Sequence, residues 1–128
     1  RVDKIYCSNA LEHFPIHQTK SVLAEWFRVM KPKGKLYVSV PDFDANVRLY
    51  LKTGLTGWLQ YLIWGDQKGP LNYHYINFTF GTLAGLLADV GFKDVKRVKE
   101  FGFGVEDAST HKDNWFQIPI SLNVEATK

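Results

Sequence analysis

Four histidines, thirteen acidic side chains and one cysteine are the groups in this 128-residue chain that can move protons, hold metals or attack carbon. The segment Ser8-Asn9-Ala10-Leu11-Glu12-His13 follows directly on a strand-like run. Ligands of open α/β sheets lie outside the carboxyl ends of the strands, so these polar groups are placed for binding. A strand-to-helix turn with capping side chains is the other reading. Glu12 and His13 are both metal-ligand types, but neighbours on a helix point about 100° apart. With no second ligand set at metal spacing, the sequence gives no reason to expect a metal.

Pro41-Asp42-Phe43-Asp44 closes a second strand-like run on the same rim. Asp42 and Asp44 could bind a substrate hydroxyl or amine, or cap the helix that follows, and residue type favours the cap. Asn72-Tyr73-His74-Tyr75 is a polar-aromatic cluster in an irregular stretch. An imidazole there could serve as a general base, or be a packed, hydrogen-bonded residue among aromatics. Phe101-Gly102-Phe103-Gly104 lacks the strand–GxGxxG–helix context of a phosphate-binding loop. Glu106, Asp107, Ser109, Thr110 and His111 form a polar loop that faces substrate or, by default, solvent. Trp58, Tyr61, Leu62 and Trp64 suit a lid or auxiliary helix, or a dimer contact.

The elements that must position these residues follow from periodicity. Residues 2–8 read as a strand. Between Ser21 and Met30, Val22, Leu23, Trp26, Phe27, Val29 and Met30 recur at helical spacing. Lys31-Pro32-Lys33-Gly34 stops that helix, and Leu36–Val40 is a strand. This β-α-β order implies neighbouring parallel strands and a right-handed crossover. Ala45–Lys52 and Trp58–Trp64 read as helical patches, and Leu71–Phe78 as irregular. Thr79 is the expected N-cap of a helix with Leu83, Leu86, Leu87 and Val90 on its core face, closed by Gly91. Val95–Lys99 alternates as a strand, and a polar connection runs from Phe101 to about Asn114. Gln117–Ala126 alternates again, which predicts a closing strand with Ile118, Ile120, Leu122, Val124 and Ala126 on one face.

Composition fits one globular domain over 1–128: 45% hydrophobic, 15% aromatic and 23% charged. No apolar run approaches the roughly 20 residues of a membrane span. A lone Cys7 forms no internal disulfide, and charged residues interrupt the start, so no signal peptide is read. Both point to a cytoplasmic home. The net charge of +3 is spread along the chain rather than gathered on a face, which argues against nucleic acid. A nucleic-acid-binding domain would show steeply salt-dependent binding.

Residues 3–14 (Asp-Lys-Ile-Tyr-Cys-Ser-Asn-Ala-Leu-Glu-His-Phe), followed by residues 23–36 with their Lys31-Pro32-Lys33-Gly34 turn, resemble the second half of a class I methyltransferase of the S-adenosylmethionine-dependent methyltransferase domain 11 type. That family carries a Leu-Glu-His motif after its fourth strand and Leu-Lys-Pro-Gly-Gly before its fifth. Here Lys33 replaces the first glycine and Gly34 remains. Val40-Pro41-Asp42, Asn72-Tyr73-His74, Gly91-Phe92, Glu106-Asp107 and the closing 120–126 segment extend the likeness over essentially the whole chain.

The resemblance implies an α/β fold: a partial Rossmann-like methyltransferase sheet with flanking helices. Residues 2–8, 35–40, 94–99 and 117–126 would be strands four, five, six and seven of a sheet ordered 3-2-1-4-5-7-6. It implies methyl transfer from S-adenosylmethionine to a small-molecule, sugar or lipid-precursor acceptor. Cys7, Ser8 and Asn9 would lie against the cofactor. His13, Asp42 and His74, in that order, would serve as base or acceptor-binding groups. Tyr73 and Trp58 would meet the acceptor, with 43–78 as a helical substrate cover. The family's glycine-rich loop after strand one and the acidic residue ending strand two have no counterpart in these 128 residues, so the chain offers one wall of the cofactor crevice. A strand within the first few residues reads as a sequence entered in mid-fold. Residues 2–8 would then form an exposed edge able to pair with a second copy. The rival reading is a non-catalytic remnant acting as a binding or dimerisation module.

Overall fold

The computed structural model describes every residue except Leu55, together with all side chains of the helices and strands save that of Trp58. The first strand, β1 (Val2–Ser8), leads through a one-turn 3-10 helix (Leu11–His13) to α1 (Ile16–Val29) and β2 (Met30–Pro41). Next come α2 (Phe43–Thr53), α3 (Gly57–Trp64), α4 (Phe80–Val90) and β3 (Lys93–Val98). A 3-10 turn (Ala108–Thr110) precedes β4 (Ser121–Thr127). The sheet order is β1-β2-β4-β3, with β1 and β2 parallel and β4 antiparallel to both of its neighbours. These are strands four, five, seven and six of the expected order.

Alternation in β2 explains the core. Leu36, Val38 and Val40 stand opposite Ala126, Val124 and Leu122 of β4, so one face of the sheet is a continuous apolar surface. Leu23 of α1 and Leu83 and Leu87 of α4 cover it, all buried. Truncating any one of these leucines to alanine would cost about 2–5 kcal/mol. The opposite face is covered by the 99–113 connection. Phe101 and Phe103 fold over the adjacent Tyr6 and Tyr37, edge to face. The Ser39 hydroxyl donates to Asn123 Oδ1 (2.9 Å), while the Asn123 amide donates to the carbonyls of Lys99 and Ser109.

Several boundaries differ from expectation. The first helix begins at Ile16 rather than Ser21, because Pro15, extended at ψ 146°, is its N-cap residue. The second strand begins at Met30, before the expected 35, because the Lys-Pro-Lys-Gly turn is absorbed as an irregularity, with Lys33 at φ 66°. The third strand covers 93–98 rather than 94–99. The last strand begins at Ser121 rather than 117. Gln117 sits at φ 55°, and the Asp113 carboxylate holds the N–H groups of Trp115, Phe116 and Ile118 in a turn. Ile118 and Ile120 therefore lie outside the strand. Among the described residues, no helix is long and apolar enough to cross a membrane.

Candidate functional site

The carboxyl ends of β1 and β2 form one rim. Asn9 leaves β1 in a left-handed conformation (φ 46°), which asparagine adopts more readily than most residues. Its N–H donates to the Ser39 carbonyl (2.8 Å). Leu11, fully buried, anchors the single 3-10 turn that follows, and the turn carries Glu12 inward with it.

A segment from beyond α3 completes the rim. The Tyr75 N–H donates to the Glu12 carbonyl (2.8 Å), and the His74 N–H donates to the Trp64 carbonyl (3.0 Å). The chain can pass so close to the end of α3 only because residue 65 is glycine. At φ 77°, a Cβ there would stand 1.9 Å from the Asn72 carbonyl oxygen. This crossing delivers His74 to His13, with ring centroids 4.7 Å apart and the rings edge to face.

Each imidazole is oriented by a backbone carbonyl. His13 Nδ1 donates to Tyr73 O (3.0 Å) and His74 Nδ1 donates to Leu62 O (2.9 Å). A carbonyl only accepts, so Nδ1 carries a proton in both rings, and in the neutral imidazole Nε2 then carries the lone pair. Glu12 Oε1 lies 3.9 Å from His13 Nε2. Burial pushes the Glu12 carboxyl up to about 7. Burial also lowers the His74 imidazole; its Leu62 bond opposes that shift, and the nearby His13 adds to it. These three residues line a small cavity of about 150 Å³, shared with Asn9 and His111, and the two histidines also line one of about 320 Å³ that includes Tyr61, Asp66 and Asn72.

On the other side of Asn9 runs an open groove of about 540 Å³. Tyr6 and Phe103 supply its aromatic surface, and Ser8, Asn9, Glu106 and Asp107 its polar surface.

The residues singled out in the sequence separate accordingly. Ser8 and Asn9 line the groove. Cys7 sits in the core, where burial, then the charge of Glu12, pushes its thiol up to about 11, so only its backbone is available to a ligand. His13 and His74 come together. Tyr73 contributes its carbonyl to His13, and its ring is exposed beside that of Tyr75. Asp42 is buried and committed to structure. Its Oδ1 accepts from the N–H groups of Asp44 and Ala45, capping α2, and its Oδ2 accepts from Arg97 Nη2 at 2.5 Å. The side chain of Trp58 lies outside the described part of the structure. Sequence reasoning weighed Glu12 only as half of a metal pair; its signal as a buried carboxylate was the adjacent Leu11, whose burial fixes the turn. His111, in the polar loop read as facing substrate or by default solvent, is exposed and also stands in the wall of the shared cavity.

The family described as methyltransferase domain matches residues 1–38, from β1 through α1 into β2. Among solved structures, the chain is similar to a SAM-dependent methyltransferase from Archaeoglobus fulgidus, at 15% identity and TM-score 0.59, covering 99% of this chain and 59% of that one. It is similar to human N-acetylserotonin methyltransferase in complex with SAM (18%, TM-score 0.61, 98% of this chain and 30% of that one). A third is Burkholderia thailandensis 1,6-didemethyltoxoflavin-N1-methyltransferase with bound 1,6-didemethyltoxoflavin and S-adenosylhomocysteine (19%, TM-score 0.56, 98% and 43%). The fold the chain shares with these methyltransferase structures is a partial Rossmann-like one, an open four-strand α/β sheet with flanking helices. The chain spans less than two thirds of the length of each of these structures. No curated protein matches it.

Proposed function

We propose that this chain is the acceptor-side half of an S-adenosylmethionine-dependent methyltransferase, acting on a small polar molecule. The observation that carries the reading is the division of the rim by Asn9. An aromatic and acidic groove lies on one side, and a two-histidine cavity on the other.

The groove fits the cofactor. The faces of Tyr6 and Phe103 and the carboxylates of Glu106 and Asp107 suit a flat base and a cation. Ser8 and Asn9 would hold its polar groups, with the Cys7 backbone behind them. When bound, the cofactor supplies a methyl group on a positively charged sulfur. The chain's own residues then position and dry the reacting centre, and proximity alone can supply much of the rate. His13 and His74 each present an Nε2 lone pair able to accept the proton of an acceptor hydroxyl or amine. Asp42 acts through structure, tying the end of β2 to β3 through Arg97. Tyr73 and the helical segment 43–78, with Trp58 in α3, would cover the acceptor. The small volumes on the histidine side favour a compact sugar-sized or lipid-precursor acceptor.

A homodimer through β1, an edge strand of this sheet, is part of the same proposal. The functional test is amide NMR of the chain titrated to millimolar S-adenosylhomocysteine. Shifts confined to Ser8, Asn9 and the 101–111 connection, with weak affinity, are expected. Unchanged spectra from a folded sample would overturn the cofactor assignment.

A further inference from the structure

We propose that Glu12, His13 and His74 form a binding site for a divalent transition-metal cation of the zinc class. One ligand atom from each residue lies within 4.8 Å of the others. Zinc bonds of roughly 2.0–2.2 Å set tetrahedral ligands about 3.4 Å apart, so closure requires side-chain movements of about 1 Å.

The outer contacts are those of a metal site. A metal-bound histidine nearly always donates its second ring N–H to a carbonyl or carboxylate, which fixes the tautomer and aims the free nitrogen. Both histidines do this through Nδ1, to Tyr73 O and Leu62 O. Among the described residues, neither Nε2 makes a hydrogen bond.

Glu12 supplies the independent observation. The residue is 1% exposed, and neither carboxylate oxygen has a hydrogen-bond partner. A buried carboxylate without partners is costly, and the 3.9 Å to His13 is too long for a hydrogen bond. A cation between Glu12 and the two Nε2 atoms would satisfy all three groups at once. The cavity they line has room for a further ligand, with His111 in its wall. Imidazole with carboxylate suits zinc, cobalt, nickel or iron, rather than the all-oxygen sites of calcium and magnesium. The site stands on these contacts alone; a bound cation takes up both Nε2 lone pairs, so the base role proposed for them above belongs to the metal-free chain.

The test is titration of the chelator-stripped chain with Co²⁺, followed by visible absorption, and with Zn²⁺, followed by calorimetry and thermal melting. One ion per chain at micromolar affinity or tighter is expected, together with a rise in melting temperature at saturating Zn²⁺. Glu12→Gln, which keeps shape and fold, should weaken binding at least tenfold and abolish the melting shift. His74→Ala should do the same, and His17→Ala, on the exposed face of α1, should change neither. Absence of stoichiometric binding by the wild-type chain would overturn the site, as would binding and a melting shift that persist in Glu12→Gln. Neither outcome depends on S-adenosylhomocysteine binding, so the two proposals fail separately.

Discussion

Arg97 Nη2 lies 2.5 Å from Oδ2 of the fully buried Asp42, bridging the end of β2 to the outermost strand, β3, across β4. The other oxygen of the same carboxylate caps α2, so one side chain fixes both where the strand ends and how the next helix leaves. Removing Arg97 would leave a buried charge held only by the two cap donors. Arg97→Ala should therefore cost about 2–3 kcal/mol, somewhat below a fully buried pair because the guanidinium is partly exposed. Asp42→Asn keeps a capping oxygen and removes the charge, so it should cost less. In denaturant unfolding, the double variant should resemble Asp42→Asn alone. Costs that simply add in the double variant would show that the pair contributes no more than a surface contact.

Gly65 controls the placement of His74. Any β-carbon at this position collides with the Asn72 carbonyl, and φ 77° is itself unfavourable for other residues. Gly65→Ala should displace the 72–75 segment, break the bond from the His74 N–H to Trp64 O, and lower stability by about 2 kcal/mol or more. The ring NMR signals of both His13 and His74 should shift, while that of His111 changes less. Unchanged imidazole signals would separate the glycine from the site.

The parallel β1–β2 pair and the α4 helix were legible in the sequence because their signals are local: alternation through Leu36, Val38 and Val40, and a Thr79 cap twelve residues before the Gly91 stop. The start of β4 was misread for a local reason of another kind. Apolar alternation runs back through Ile120 and Ile118, but Asp113 has already committed the neighbouring N–H groups to a turn. At the candidate site, Ser8, Asn9, His13 and His74 drew attention through their position beyond strand ends and in an irregular segment, and the structure sets them in the walls of its cavities. Their partnership was not legible, since it depends on the chain crossing at Gly65. The commitment of Asp42 to Arg97 is equally non-local, and only the cap was visible in advance.

Cys7 provides a pH-dependent check on the core beneath the site. Burial, with the charge of Glu12, pushes its thiol up to about 11, against roughly 8.5 in an unfolded chain. At pH 8 the native thiolate fraction is then lower by roughly two orders of magnitude, so disulfide reagents should react only through opening of the fold. The sign of the linkage follows. Between about 8.5 and 11 the folded state binds more protons than the unfolded state, so stability should fall as pH rises through that window. Cys7→Ser or Cys7→Ala should flatten that part of the pH–stability curve. Rapid labelling of the native chain at pH 8 would contradict the burial of the sulfur.

The edge formed by β1 carries the last prediction. Only one side of this strand is paired, and Val2 and Tyr6 are exposed along it. An unpaired parallel-sheet edge of seven residues with one lysine and one aspartate is poorly protected against pairing with another chain. Two copies joined through β1 about a two-fold axis would extend the sheet to eight strands. Light scattering of the 128-residue chain should therefore show a concentration-dependent dimer. Val2→Lys, which adds charge to the edge and removes no core contact, should shift it toward monomer. A monodisperse monomer across the accessible concentration range would rule out this pairing.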